Sequence, residues 1–194
     1  MADAAALDAL AKEIYGCDRC GLAKGRTRAV PGEGNPHAEI IFIGEAPGFT
    51  EDQTGRPFCG AAGQFLTQLI TSIGLKREDV FITNIVKSRP PGNRDPLPEE
   101  IAACKPWLDQ QLEIIKPKVI VTLGNSPAKG LLGATTGITR LHGQWQSYEG
   151  IAAMPTYHPS YLLRGGGDEK ARYWEVWEDM EAVLQKLGRV APPR

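Results

Sequence analysis

Three short apolar runs, each followed by a glycine or a polar turn, constrain the fold of this chain more than any other feature. They cover residues 39–44, 80–86 and 118–124, and a weaker run covers residues 150–156. Continuous apolar runs of this length are typical of strands that are buried on both faces, as in parallel sheets. The sequence therefore predicts four buried strands.

Helical patterns occupy the segments around these runs. Apolar residues recur at helical spacing over residues 4–15, 61–73, 98–115, 126–132 and 168–187. Strands that alternate with helices favour right-handed crossovers and a parallel sheet that is covered on both faces. The predicted fold is therefore α/β, a three-layer α/β/α sandwich with a central, mainly parallel four-stranded sheet.

Length and charge limit the domain count and the means of binding partners. The 194 residues fit one domain over residues 1–194, with a Pro-rich tail at 189–194 that we expect to be frayed. With 22 Lys and Arg against 23 Asp and Glu, contact with nucleic acid requires a local basic face. We expect no membrane partner, because no apolar run reaches the length of a membrane span and no signal peptide is recognisable. A cytoplasmic monomer is the expectation, nucleoid-associated in a prokaryote.

Three polar, turn-rich segments leave the ends of the predicted strands. They are Gly44-Glu45-Ala46-Pro47-Gly48, Thr83-Asn84 and the Tyr-His-Pro-Ser-Tyr-Leu-Leu segment at residues 157–163. Parallel α/β proteins bind ligands beyond the carboxyl ends of their strands. The topology therefore predicts a pocket where these segments meet.

These segments resemble the active-site blocks of the family 4 uracil-DNA glycosylases. Residues 44–48 with Thr-Gly-Arg-Pro-Phe at 54–58 are similar to the first block, Thr83-Asn84 with Arg-Pro-Pro-Gly-Asn-Arg at 89–94 to the second, and residues 158–163 to the third. The similarity runs in the same order over most of the chain. It implies a DNA repair enzyme that flips uracil out of single- or double-stranded DNA and hydrolyses its N-glycosidic bond.

The resemblance assigns base recognition and leaving-group stabilisation to three side chains. Phe58 would stack on the flipped uracil, and Asn84 would hydrogen-bond the uracil edge through an amide that both donates and accepts. His158 would donate to the uracil O2 as negative charge develops on the departing base. Gly44 and Ala46 complete the implied substrate-binding set.

Two residues are candidates for positioning the water. Ala46 stands where other uracil-DNA glycosylases carry an Asp, so the nearby Glu45 and Glu51 are the candidates for orienting water or pocket groups. The alternative for both carboxylates is that they accept hydrogen bonds from loop backbone amides. A positioned water is sufficient if the glycosidic bond breaks first to give an oxocarbenium-like sugar.

Loop residues around the pocket are the expected DNA contacts. A glycine run at residues 165–167 would let the backbone pass close to DNA or act as a hinge. The candidates for a phosphate track are Ser160, Arg164, Arg89 and Arg94, together with Lys87 and the cluster of Lys24, Arg26 and Arg28.

The cysteines favour metal ligands or buried thiols over a disulfide scaffold. The resemblance implies a [4Fe–4S] cluster bound by four Cys; Cys17, Cys20 and Cys104 match three of them, and Ser88 replaces the other. Cys59 is a poor substitute, because it directly follows Phe58. The alternatives are an altered ligand such as the Ser88 oxygen, a labile or absent cluster with buried or zinc-binding thiols, and an engineered Ser88.

One departure from the family pattern and three rival functions also follow from the sequence. His142 stands where relatives of this family place an Arg, which is interpreted as a surface change. The main functional alternative is a uracil-DNA binding or trapping protein with little turnover, although residues 88–95 lack the His and the insertion of trapping relatives. A phosphate-handling hydrolase would require a phosphate loop that is absent from the sequence, and an iron–sulfur redox protein would leave the three blocks unused.

Overall fold

The computed structural model describes residues 2–164 and 169–193, and in this part of the chain six strands form one sheet. The strands are β1 (Glu33–Gly34), β2 (Ile40–Gly44), β3 (Phe81–Asn84), β4 (Val119–Leu123), β5 (Gln146–Tyr148) and β6 (Ile151–Thr156). Their order is β1-β3-β2-β4-β6-β5, with β3, β2, β4 and β6 parallel and the two edge strands antiparallel. The predicted four-stranded parallel centre is confirmed. The edge strands were missed because two or three polar residues give no apolar run.

Helices cover both faces of the sheet. They are α1 (Ala2–Tyr15), α2 (Phe49–Thr54), α3 (Ala61–Ser72), α4 (Pro98–Ile115), α5 (Asn125–Leu132), α6 (Ile138–Leu141), α7 (Pro159–Leu163) and α8 (Glu169–Lys186). The five predicted helices are present with nearly the predicted bounds. The three short ones, α2, α6 and α7, span too few residues to show a helical period.

Alternate side chains of the central strand β2 enter two separate cores. Ile40 and Phe42 pack with residues of α3 and α8, whereas Ile41 and Ile43 pack with residues of α1 and α4. This alternation follows from the period of two in a strand. The three-layer α/β/α arrangement predicted from the sequence is therefore confirmed.

The parallel register brings the carboxyl ends of the central strands to one edge of the sheet. Gly44 at the end of β2 pairs with Asn84 at the end of β3, and Leu123 of β4 pairs with Thr156 of β6. The loops that carry the three sequence blocks all leave from this edge. The fold thus places them next to one another.

The structure describes residues 189–193 near the chain terminus but not the glycine run at residues 165–167. Residues 189–193 form no helix or strand, yet Arg189 pairs with the Glu39 carboxylate and Pro192 lies close to Gly74. The glycine run at 165–167 and the first residue of the predicted helix at 168–187 lie outside the described residues. Over the described ranges, every helix is too short or too polar to cross a membrane.

Candidate active site

A cavity of about 300 Å³ opens at the carboxyl edge of the sheet. All three predicted blocks contribute to its lining, and so does the N-terminal end of α3. The predicted site residues in its lining are Glu45, Ala46, Glu51, Phe58, Asn84, His158, Ser160, Arg94 and Arg164. Gly44 lies directly beneath, since a Cβ there would come within 2.4 Å of both the Asn84 Oδ1 and the Phe58 ring.

Phe58 occupies the pocket with a strained backbone. Its φ is 46°, in the left-handed region that non-glycine residues rarely adopt. Gly63 allows this conformation, because a Cβ on Gly63 would lie 1.7 Å from the Phe58 carbonyl oxygen. The ring is 7% exposed, and its centroid lies 5.7 Å from that of His158. Strain of this kind is found at functional sites, where surrounding contacts enforce it.

Asn84 presents an unsatisfied amide to the same cavity. The residue is 1% exposed, and its Oδ1 has no hydrogen-bond partner within the described part of the chain. A buried acceptor without a partner costs about 1–3 kcal/mol. A ligand that donates an N–H to Oδ1 would recover this free energy.

His158 is arranged as a neutral hydrogen-bond donor. Its Nδ1 accepts the backbone N–H of Ser160 at 3.1 Å and lies 2.8 Å from the Ser160 hydroxyl oxygen. The ring proton of the neutral imidazole therefore sits on Nε2. Burial, helped by the charge of Arg164, lowers the pKa of His158 from 6.5 to about 4. The imidazole is thus uncharged at neutral pH and can donate through Nε2.

The two carboxylate candidates have different surroundings. Glu51 accepts three backbone N–H groups of the loop around Phe58, from Gly48 at 3.1 Å, Cys59 at 3.0 Å and Gly60 at 2.9 Å. Glu45 instead accepts a hydrogen bond from the Ser126 hydroxyl, and burial raises the pKa of Glu45. Loop anchoring therefore accounts for the contacts of Glu51. Glu45 lines the cavity and is held by the Ser126 side chain instead of by the loop backbone.

The expected DNA contacts are not equally available. Arg94 lines the cavity, but its guanidinium forms a two-pronged ion pair with Glu100 at 2.7 and 2.9 Å. Arg89 donates to the Asn93 side chain at 2.6 Å. Arg164 lines the cavity and is exposed at the surface.

Two basic residues predicted on the phosphate track have structural partners instead. Lys87 is 2% exposed, and its Nζ donates to Thr83 Oγ1, the Asn84 carbonyl and Gln111 Oε1 at 2.6–2.8 Å. Burial lowers the pKa of Lys87 to about 7. The prediction that Lys87 contacts DNA is therefore wrong. Arg26 likewise donates to the Ser88 hydroxyl and to two backbone carbonyls.

The predicted cluster ligands lie around α4, at a distance from the base cavity. Cys104 on α4 accepts the backbone N–H of Lys87 at 3.1 Å, and Cys17 accepts the indole N–H of Trp107 at 3.2 Å. The Ser88 oxygen is bound by Arg26 at 2.9 Å. Among residues 2–164 and 169–193, no group of three or more His, Cys, Asp or Glu side chains is arranged to hold a metal ion. The residues thus fit a cluster only in part, since they offer three thiols and a Ser88 hydroxyl that already accepts a hydrogen bond from Arg26.

Several supporting side chains could not be predicted from the sequence. Ser126 at the start of α5 binds Glu45, and Gln111 on α4 binds Lys87, but neither position carries a local signal. His142 was interpreted as a surface change. It is half-buried, its Nδ1 lies 3.3 Å from the buried Asp179 carboxylate, and its ring packs 4.7 Å from that of Tyr157.

An aromatic ring, an unsatisfied amide and a neutral imidazole around one cavity define an α/β protein with a site for a planar heterocyclic base. Comparison with known families agrees, because residues 31–181 match the model of the uracil DNA glycosylase superfamily. The chain belongs to this superfamily, and within it to the type-4 uracil-DNA glycosylases.

Similar proteins support the narrower assignment. The type-4 uracil-DNA glycosylase of Archaeoglobus fulgidus is 47% identical, over 95% of this chain and 92% of its own. That of Saccharolobus solfataricus is 51% identical, over 94% and 87%, respectively. That of Thermotoga maritima is 46% identical, over 94% and 96%. The alignments therefore cover nearly the full length of these relatives.

Proposed function

We propose that this protein is a DNA repair glycosylase that flips uracil out of DNA and hydrolyses its N-glycosidic bond, leaving an abasic site. The observation that carries the proposal is the unpartnered Asn84 Oδ1 in a cavity shared with the Phe58 ring and the His158 imidazole. Uracil offers the complementary groups, a planar ring and an N–H beside a carbonyl. Membership of the type-4 family supports the same reaction.

Each pocket group has a separate role in the proposed reaction. The Phe58 ring stacks on the extruded uracil, and Asn84 hydrogen-bonds the uracil edge. As the bond from C1′ to N1 breaks, both electrons move to the base, and His158 Nε2–H stabilises the charge that develops on O2. A neutral donor is sufficient for this role, and the low pKa of His158 keeps the imidazole neutral.

Water then adds to the cationic sugar. Ala46 supplies no carboxylate, so Glu45 is the group that orients the water, and its contact with Ser126 fixes its position. Glu51 acts as a positioning residue, because its hydrogen bonds to three backbone N–H groups hold the Phe58 loop. The water oxygen bonds to C1′ and gives up a proton that neutralises the uracil anion, so the products are an abasic sugar and free uracil.

Phosphate contacts hold the strand at the pocket. The proposed contacts are Arg164, Ser160 and Arg94, which line the cavity, and Arg89, which binds the side chain of the lining residue Asn93. Because Arg94 is also paired with Glu100, we expect its contribution to be smaller than that of Arg164. A monomer acting as one domain is part of the proposal, and gel filtration tests it. A cytoplasmic location remains part of the proposal.

Release of free uracil from uracil-containing DNA without added magnesium tests the proposal. We expect His158→Ala and Asn84→Ala to lose cleavage by at least tenfold while both remain folded at the assay temperature, which circular dichroism checks. His37→Ala, at an exposed histidine, is the matched control and should behave as the wild type. Unchanged turnover in either pocket variant would remove that residue from the mechanism. Denaturant-resistant adducts with uracil DNA would favour the trapping alternative instead.

We also propose that Cys17, Cys20 and Cys104 bind an iron–sulfur cluster that lacks one thiolate ligand, with Ser88 at the fourth position. N–H donors already point at two of the sulfurs, from Trp107 and Lys87, as is common for bound thiolates. Such a cluster would stabilise the N-terminal loop and take no part in the reaction. Ser88→Cys tests the proposal, because we expect stronger visible thiolate-to-iron absorbance after anaerobic reconstitution. Equal, negligible iron content in both proteins would refute it.

A further inference from the structure

Phe49 is an exposed aromatic side chain at the mouth of the base cavity. It begins α2, directly after the cavity-lining Gly48. Its side chain is 60% exposed, against 37% for Trp145 and 7% for Phe58. A phenyl ring in this position contributes little to the core and leaves an apolar surface open to solvent.

Arg89 lies over this ring and connects it to a residue of the cavity lining. The guanidinium carbon lies 5.2 Å from the centre of the Phe49 ring. The same guanidinium donates through Nε to Asn93 Oδ1 at 2.6 Å, and Asn93 lines the cavity. Phe49 follows Gly48 of the first block, and Arg89 begins the Arg-Pro-Pro-Gly-Asn-Arg segment of the second block. The contact between them therefore joins the two blocks beside the cavity.

An exposed ring next to a held guanidinium matches the chemistry of a nucleotide. Aromatic side chains stack on bases, and every base offers a π-face, so this contact does not depend on sequence. Arginine supplies the complementary charge for the phosphate. A flat apolar face and a cation side by side are the two groups that one nucleotide requires.

We propose that Phe49 and Arg89 form a binding site for the nucleotide next to the flipped uracil on the same strand, with the base against the Phe49 ring and its phosphate beside Arg89. This proposal rests on the proposed uracil-excising function. It assigns Phe49 to substrate binding and not to the reaction. Its loss should therefore raise KM and leave kcat unchanged.

Single-stranded oligonucleotides with one central uracil test this site. In matched substrates, the base on the 5′ side or on the 3′ side of the uracil is removed by a spacer nucleotide. We expect the wild type to lose affinity by about tenfold when the base on one of the two sides is missing, which corresponds to one stacking contact. Phe49→Ala should show the weaker affinity with the intact substrate and no further loss with the spacer.

Two further variants separate stacking from folding. Phe49→Trp keeps a flat aromatic face and should restore the wild-type dependence on the neighbouring base. Trp145→Ala is the matched control, because Trp145 also pairs with a cation, Lys186 at 5.4 Å, but adjoins the edge strand β5, whereas Phe49 adjoins the cavity-lining Gly48. It should bind both substrates as the wild type does.

The outcomes are distinct. If Phe49→Ala retains the full penalty for the missing base, or binds the intact substrate as tightly as the wild type, the nucleotide site is refuted. If the wild type releases no uracil from any substrate, the proposed function fails instead.

Discussion

Replacing Glu51 by Gln tests whether this carboxylate holds the Phe58 loop or acts on water. Oε1 accepts the backbone N–H groups of Cys59 and Gly60, and Oε2 accepts that of Gly48. A glutamine oxygen can keep the first two contacts. Its amide NH₂ would then face the Gly48 N–H, so two donors oppose each other.

The structure sets the size of the expected effect. Loss of a hydrogen bond to a charged acceptor costs about 1.5–3 kcal/mol. The negative charge in the first turn of α2 contributes roughly 0.3–1 kcal/mol more. Taking about 2 kcal/mol in total, the melting temperature of a chain of this size should fall by roughly 4–8 °C.

Thermal unfolding and single-turnover uracil release, measured on the same preparations, give the answer. We expect Glu51→Gln to melt earlier and to lose about tenfold in rate well below its melting temperature, a loss of roughly 1.4 kcal/mol of transition-state stabilisation. Glu113→Gln, the same change at an exposed position on α4, is the control. A variant with the wild-type melting temperature and a rate more than a thousandfold lower would show that Glu51 acts in the reaction, and the anchoring argument would be wrong.

Three further predictions follow from buried contacts. Burial lowers the pKa of His158 from 6.5 to about 4, so the stability that His158 contributes is complete above pH 6.5 and is lost as the pH falls toward 4. An NMR titration should find the midpoint of His158 below pH 5, and a midpoint near 6.5 would contradict this. Gly63→Ala places a Cβ 1.7 Å from the Phe58 carbonyl oxygen, so calorimetry should show a lower melting temperature together with lost uracil release, and wild-type values for both would be inconsistent with the structure. Lys87→Met leaves buried acceptors unpaired and should lower the free energy of unfolding by about 3 kcal/mol in urea titrations. The salt dependence of DNA binding should stay unchanged in this variant, whereas a weaker dependence would indicate a phosphate contact.

The sequence predicted the parts of the fold that repeat a simple pattern. The apolar runs that became β2 and β4 are buried at every position, so they are visible without knowledge of their neighbours. The edge strand Glu33–Gly34 has no such pattern, because its pairing with β3 depends on the tertiary structure. The short helix Pro159–Leu163 was missed for another reason, because five residues show no helical period even though His158 caps the helix and Pro159 begins it.

The site divides in the same way. Strand order places Asn84 and His158 at one edge, which topology predicts. The left-handed φ of Phe58 and the burial of Lys87 could not be predicted, because both depend on packing against distant segments. A lysine that follows a strand in a basic segment looks like a surface residue until the partners of its amine are seen, and Gln111 is remote in sequence.

Lys87 also gives the thiol region a mechanical connection to base recognition. Its backbone N–H binds the Cys104 sulfur, and its amine holds the carbonyl of Asn84. A displacement of that sulfur, as by oxidation of the thiol, would therefore shift the Lys87 backbone and, through the Lys87 amine, the end of the strand that carries Asn84.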